Sequence, residues 1–430
     1  MNNHVVEQSN LGNKPIKVAM ISMHASPIAR LGGYKSGGMN LYIKEIALRL
    51  SKLDVKVDIF TKKDETHDGT EIIELGPGVR IIYINAGPKK NLEPAYLEKY
   101  VDKFIDELSD FVSFENIQYD LVHSHYWLSG IIGLKIAKLW SLQHITMFHT
   151  LSLAKEMALG ERSDLAHRKK IEAEIIKDVD AIICSSTHEK NLINSYIDVP
   201  DKKIHIIPLA VDDNVFHPND MNVARQKLNI SNDVKIIMSI SRLDPVKGLD
   251  VLIKSIARIK NKSAIKLFII GGVIGGADSP SAYQIYLKEL VQSLNLNENV
   301  EFLGAIAHGD LPKYYTVADI IAIPSHYESF GLVTLEAFAS AKPVVASNTG
   351  GLASIIDHEI NGLLVDPGNV EQLADALNSL LENSHTSKKI GQQAFLDVQK
   401  YSWDTTAYSV FKVYKSMLSN VMKVKRASSY

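Results

Sequence analysis

Val18-Ala19-Met20-Ile21-Ser22-Met23 is an almost unbroken apolar run of strand length, without the alternation of apolar and polar positions that a half-exposed strand shows. Such a strand is buried on both faces, the condition met in a parallel sheet covered by helices on either side. Residues 39–53 follow with helical period, residues 55–61 form a second apolar stretch, and the alternation continues to residues 145–148. Strand and helix signals taken in turn predict βαβ units and a mainly parallel sheet. A Pro/Asp-rich stretch, residues 207–218, reads as an interdomain linker. Beyond it residues 235–240, 266–271, 300–303, 320–324 and 343–347 read as strands, each followed by a helical or glycine-rich segment, so the second half repeats the architecture of the first. No short-period repeat or low-complexity tract is present, which argues against a solenoid. The organisation expected is a loose tail over residues 1–14, an α/β domain over 15–208, a second over 209–402, and a terminal segment over 403–430. Ligands of open α/β sheets collect beyond the carboxyl ends of the strands, so two facing domains place a site in the cleft between them.

Composition agrees with two domains. The 430 residues, 46% hydrophobic and 22% charged, suffice for two cores of ordinary size. A formal net charge of −2 supplies no global positive field for nucleic acid or an anionic membrane surface, so any basic site must be local. The single cysteine, in Ala181-Ile182-Ile183-Cys184, excludes an intrachain disulfide and reads as a small core residue. Residues 1–14 lack the apolar segment of a signal peptide, and no apolar run approaches the ~20 residues that span a bilayer. A cytoplasmic location is expected.

Chemistry is sought at the strand ends. Ser241-Arg242-Leu243-Asp244-Pro245-Val246-Lys247-Gly248 joins a strand to a helix. Two cations at such a turn can clamp a diphosphate, Arg242 by its bidentate fork and Lys247 as a point charge, although the same spacing suits two solvated surface charges. A second cluster, Pro324-Ser325-His326-Tyr327-Glu328-Ser329-Phe330-Gly331-Leu332-Val333-Thr334-Leu335-Glu336-Ala337-Phe338, places one carboxylate in a loop and another about two turns into a helix. Amides at that helix start can receive phosphate or sugar oxygens, and the carboxylates can accept hydrogen bonds from sugar hydroxyls. Alone, the two acids would read as ordinary helix-flanking residues.

Together these segments resemble glycosyltransferase family 4 of the GT-B fold, two Rossmann-like domains with parallel sheets facing across a cleft. Glu328 and Glu336 match that family's E-x7-E pattern. The resemblance implies that Glu336 binds the donor ribose, that Glu328 contacts the transferred sugar, and that Arg242 and Lys247 neutralise the leaving diphosphate. It also implies that amides near Phe330, Gly331 and Leu332 hold sugar hydroxyls or phosphate oxygens, and that residues 302–311 bind the base. No Asp-x-Asp metal motif stands at a strand end, and Asp212-Asp213 lies in the linker. Neither a metal nor another cofactor is therefore expected, the diphosphate charge being met by the two cations and helix N-termini. The chemistry implied is front-face transfer with retention, a phosphate oxygen taking the acceptor proton.

In the first half, Gly32-Gly33-Tyr34-Lys35-Ser36-Gly37-Gly38-Met39-Asn40 opens the first helix. Clustered glycines let the backbone approach a diphosphate, which marks Gly37 and Gly38 as donor-binding candidates, while a flexible turn is the plain alternative. Val122-His123-Ser124-His125-Tyr126-Trp127, Phe148-His149-Thr150 and Arg168-Lys169-Lys170 complete the set. With the glycine loop they are similar to the family-4 subgroup of inositol-phosphate glycosyltransferases and, less closely, sucrose-phosphate synthases. That similarity makes the first domain the acceptor domain and the second the nucleotide-sugar domain, with the last helix crossing back to the first. It assigns an acceptor phosphate to Lys90 (or Lys89), Tyr126, Thr150 and Arg168, an acceptor hydroxyl to Asn40, and a place beside the sugar and attacking oxygen to His149. Two cations and two hydroxyls suit a phosphate dianion. His123 and His125 read as structural histidines, and Trp127 as a packing residue.

The expected donor is a UDP-linked glucose or N-acetylglucosamine, and the expected acceptor a small phosphorylated molecule such as inositol phosphate; a homodimer is left open. The alternatives are transfer to fructose 6-phosphate or to a glycan or lipid end, an epimerase of the same fold, and a non-catalytic nucleotide-sugar sensor. A lipid acceptor finds little support in the charged, mixed residues 95–114 or in the short basic run Lys423, Lys425 and Arg426.

Overall fold

Val18, Ala19, Met20 and Ile21 are fully enclosed in the computed structural model, which describes residues 14–29, 37–64, 71–89, 92, 94–272 and 281–427. Val18 and Met20 enter one hydrophobic core and Ala19 and Ile21 another, one on each face of the sheet. The strand β1 (Ile16–Ile21) pairs in parallel with β2 (Val55–Lys62) and β5 (Leu121–His125), with Met20 opposite Ile59 and His123. The remaining strands of this sheet are β3 (Ile72–Gly76), β4 (Val79–Ile84), β6 (Gln143–Met147), β7 (Ala181–Cys184) and β8 (Ile204–Ile206). The order is β3-β4-β2-β1-β5-β6-β7-β8, and the hairpin of β3 with β4 makes one edge antiparallel.

The second sheet contains β9 (Lys235–Ile240), β10 (Ile265–Ile270), β11 (Val300–Gly304), β12 (Ile320–Ile323), β13 (Val344–Ser347) and β14 (Leu363–Val365). Its order is β11-β10-β9-β12-β13-β14 and all its pairings are parallel. The two halves are thus two α/β domains of one design, each with helices on both faces of its sheet.

In each sheet the chain works outward from a central strand and then returns to its other side, so the order reverses between β1 and β5 and between β9 and β12. Such switch points are where crevices open at the carboxyl ends of strands. A cavity of about 970 Å³ opens there, lined from one half by His24, Gly38, Tyr126 and His149 and from the other by Arg242, Lys247, Glu328 and Glu336.

The stretch after β8 is packed rather than loose: Leu209, Ala210, Val211 and Phe216 are buried, and Val211 N donates to Tyr401 O at 3.2 Å. A long helix, Trp403–Ala427, buries Trp403, Ala407, Val410, Tyr414 and Met417 along one stripe. It lies on the first half, where Asp404 meets Arg49 of helix Gly38–Ser51 at 3.3 Å. Cys184 is a buried free thiol, its pKa pushed up by burial.

Candidate active site

The loop after β9 is shaped by two local devices. Asp244 Oδ1 accepts from Val246 N at 3.1 Å, capping the short turn Pro245–Lys247. Gly248 then adopts φ +62 with the Pro324 carbonyl directly against it, where a side chain would collide. With His326 N donating to Val246 O at 2.8 Å, this contact ties the Arg242–Lys247 loop to the loop after β12. Lys247 Nζ consequently reaches Glu328 Oε2 at 2.6 Å. The two cations therefore differ. Lys247 is paired and 16% exposed, whereas Arg242 is 42% exposed and only 3.7 Å from Asp244.

Gly331, at φ +102, starts helix Leu332–Ala339, which no side chain among the described residues caps. Its first residues Leu332 and Val333 line the cleft and leave helix-start amides available to oxygen ligands. Glu336 is the fifth residue of this helix, just over one turn in rather than two, because the helix begins only at Leu332. Its carboxylate is held at both ends: Tyr315 OH donates to Oε2 at 2.6 Å and His308 Nε2 lies 2.8 Å from Oε1. Burial alone would lower the His308 pKa, but the bond and charge of Glu336 raise it above the ordinary value. Ser241 Oγ also faces this region, buried and without a partner among the described residues.

Across the cleft, Tyr126 and His149 sit at the ends of β5 and β6 with φ +77 and +59. Bulky residues rarely occupy this region, and they do so where the surroundings over-determine the backbone. Arg168, from helix Ser163–Asp178, is buried. Its Nε donates to Glu172 Oε1 at 2.6 Å, Nη1 to Tyr126 OH at 2.9 Å, and Nη2 to the Thr150 carbonyl. Burial works against the guanidinium charge, and Tyr126 and Glu172 more than offset it. Thr150 Oγ1 donates to His149 O at 2.7 Å, so at 3.1 Å it must accept the Ser329 hydroxyl, a bond that crosses the cleft. His149 Nε2 lies 3.0 Å from His125 Nδ1. Burial, with His123 and His24 nearby, pushes the His149 pKa down to about 3, so its ring is neutral at ordinary pH.

The motif residues are therefore gathered in one cavity: Gly37, Gly38, Asn40, Tyr126, His149, Thr150, Arg168, Arg242, Lys247, Glu328, Phe330, Gly331, Leu332 and Glu336 all line it. Asn40 ties the glycine loop to the segment after β1, with Nδ2 donating to Ser26 O at 2.7 Å and Oδ1 accepting Gly37 N at 3.0 Å. Lys89 is exposed, and Lys90 and Gly32 to Ser36 lie outside the described residues.

Several residues were not singled out by motif. Glu172 was signalled by its i,i+4 spacing from Arg168. His308 sat inside the loop compared with base-binding stretches. Lys155 and Arg162 had no pattern of their own, and Ser329 stood out only as part of the turn before the Glu336 helix, yet all three line the cavity. Among the described residues no three His, Cys, Asp or Glu side chains are grouped to hold a metal ion, and no helix is long and apolar enough to cross a membrane.

Comparison with known proteins matches the chain to two family models in succession. Residues 36–215 match the sequence model of the family described as Glycosyltransferase Family 4, and residues 220–397 that described as Glycosyl transferases group 1. A D-inositol 3-phosphate glycosyltransferase of Corynebacterium glutamicum is 33% identical over 414 residues, covering 94% of this chain and 98% of that protein. Among solved structures, the sucrose-phosphate synthase of Thermosynechococcus elongatus superposes with a TM-score of 0.87 at 29% identity, over 94% of this chain and 100% of that one. Anabaena HepE, solved with UDP and glucose, shares the fold at a TM-score of 0.74 and 20% identity, over 93% of this chain and 100% of that one.

Proposed function

The chain belongs to the family 4 glycosyltransferases, and from that premise we propose that it moves glucose or N-acetylglucosamine from a nucleotide diphosphate sugar, with UDP the expected nucleotide, to a small phosphorylated acceptor such as inositol phosphate. The reading is of a retaining, metal-independent transfer. The observation that supports it most is the continuity of the cavity, which runs from a cationic and carboxylate end at Arg242, Lys247 and Glu336 to the Tyr126, Thr150 and Arg168 end.

At the donor end, Glu336 is held rigidly enough by His308 and Tyr315 to accept from ribose hydroxyls without reorganising. A diphosphate seated between Arg242 and the amides of Leu332 and Val333 draws Lys247 toward it, which frees Glu328 to accept from a sugar hydroxyl. As the bond from the anomeric carbon to the phosphate oxygen breaks, its electron pair goes to the diphosphate, where both cations stabilise it. The acceptor oxygen bonds to the same face of that carbon, and its proton passes to a diphosphate oxygen. At the acceptor end, Arg168 retains N–H donors beyond the three it has used, and the Tyr126 and Thr150 hydroxyls stand beside it. The likeness to a D-inositol 3-phosphate glycosyltransferase of Corynebacterium supports an inositol phosphate acceptor. The structural likeness to a sucrose-phosphate synthase favours fructose 6-phosphate as the second reading.

Tyr126→Phe tests the phosphate pocket while leaving the Arg168–Glu172 pair in place. Loss of one charge-assisted hydrogen bond, ~1.5–3 kcal/mol, should lower kcat/KM for a phosphorylated acceptor about tenfold to a hundredfold and leave the unphosphorylated analogue unchanged. Equal losses on both acceptors would contradict the pocket.

A further inference from the structure

His125 is fully buried at the end of β5, and its Nδ1 shares one hydrogen with His149 Nε2 across 3.0 Å. Its own Nε2 is buried with no partner among the described residues. Burial, with His123 and His149 beside it, holds its pKa well below the ordinary histidine value, so the ring is neutral and carries one proton. Two arrangements then remain. If His149 donates from Nε2, the His125 proton sits on Nε2 as an orphaned buried N–H. If His125 donates from Nδ1, only a lone pair is left orphaned. Orphaned buried N–H groups are the rarer of the two in folded proteins, which selects the second arrangement.

The ring of His125 is held in this orientation by its neighbours. His123 packs on it with centroids 4.4 Å apart, and His123 is itself tied through Nδ1 to Tyr414 OH at 2.7 Å. Tyr42 stands edge-on to both His125 and His149, with centroids 5.8 and 5.3 Å away. We propose that His125 is a positioning residue that donates from Nδ1 to Nε2 of His149 and so fixes His149 as the Nδ1–H tautomer, presenting a hydrogen-bond donor rather than a base to the cleft.

With Nε2 occupied, Nδ1 is the ring nitrogen that His149 offers to a ligand. As an N–H it donates to a sugar hydroxyl or to a diphosphate oxygen and has no lone pair to receive the acceptor proton, which therefore goes to the departing phosphate. The tautomer stands independently of the proposed reaction, whereas its use in transfer rests on that reading.

The test is 15N NMR of the full chain labelled at histidine, with the His149 resonances assigned by their loss in His149→Gln. The wild-type protein at pH 7.5 should show His149 protonated at Nδ1 and bare at Nε2. The reverse pattern would overturn the proposal, whether or not a substrate pair is known. In transfer assays His125→Phe should lower kcat about tenfold, the worth of one hydrogen bond, with the donor KM within twofold. His125→Asn, whose amide can donate from the place of Nδ1, should restore most of the rate. Unchanged kcat in a folded His125→Phe protein would overturn the positioning role of His125 in transfer. Absence of transfer with any donor and acceptor would count against the proposed reaction and leave the tautomer to be decided by the spectrum.

Discussion

Lys247 and Glu328 form an ion pair about a fifth exposed, at the point where the proposed reaction brings a diphosphate and a sugar together. Pairs of this kind contribute ~1 kcal/mol or less to stability. Electrostatic stabilisation of a leaving group is worth ~3 kcal/mol or more per donor. Lys247→Ala should therefore shift the melting temperature little and reduce turnover about a hundredfold or more; full turnover by a folded variant would remove Lys247 from the reaction. Arg168 behaves in the opposite way. Its partner Glu172 is wholly buried, and also accepts Ser152 N and Oγ and the Tyr196 hydroxyl. Arg168→Ala strands that carboxylate and should cost ~3–5 kcal/mol in urea unfolding, whereas Arg168→Met with Glu172→Gln should cost distinctly less. Equal costs would show that the pair does not govern the site's stability. The motif residues were legible because strand-end loops or the helices that follow them hold them, and their placement in one cleft follows from the topology. What was not legible is how their charges are already matched. Arg168 read as a free phosphate cation, and only the i,i+4 spacing of Glu172 hinted otherwise; the His308 and Tyr315 clasp on Glu336 had no signature.

At the scale of elements, the strand pattern was readable because both-face burial removes polar positions from a parallel strand. Residues 235–240 coincide with β9, and the other strands named in the second half agree with the structure to within a residue at each end. The helix carrying Glu336 was placed too early because its start depends on the left-handed Gly331, which spacing alone does not locate. The β3–β4 hairpin departs from the parallel plan at an edge, where an antiparallel strand can be added without a crossover. Gly248 joins two of these elements through a contact that only a residue without a side chain permits. Gly248→Ala should destabilise the protein by more than ~1 kcal/mol and weaken nucleotide-sugar binding, read by unfolding and calorimetric titration. A fully stable variant with intact binding would show that the loop-to-loop contact is not needed.

On the scale of the whole molecule, repetition of one βα pattern made two domains legible, while the fit of one half on the other was not. The Thr150–Ser329 bond joins residues 179 positions apart, and nothing local in the sequence announces it. The same burial that assembles the cleft keeps histidines neutral: His123, His144 and His149 are pushed down to about 3 by burial, and His125 lies well below its ordinary value. In the unfolded chain they titrate near ~6.5, so below that pH the unfolded state binds more protons and stability falls as pH falls. Each contributes up to ~1.4 kcal/mol per pH unit until the folded protein itself takes up protons. The urea midpoint should thus drop clearly between pH 7 and pH 5, and a flat midpoint would contradict neutral burial of the cluster.

The most direct measurement is transfer itself. The purified protein is incubated in EDTA with UDP- or GDP-linked glucose or N-acetylglucosamine, together with inositol phosphate, fructose 6-phosphate, unphosphorylated inositol or no acceptor, and nucleotide release and product mass are followed. Release of UDP that requires a phosphorylated acceptor, with a product heavier by one hexosyl group, is the expected result. Absence of turnover with every pair despite measurable nucleotide binding, or equal transfer to phosphorylated and unphosphorylated inositol, would contradict it.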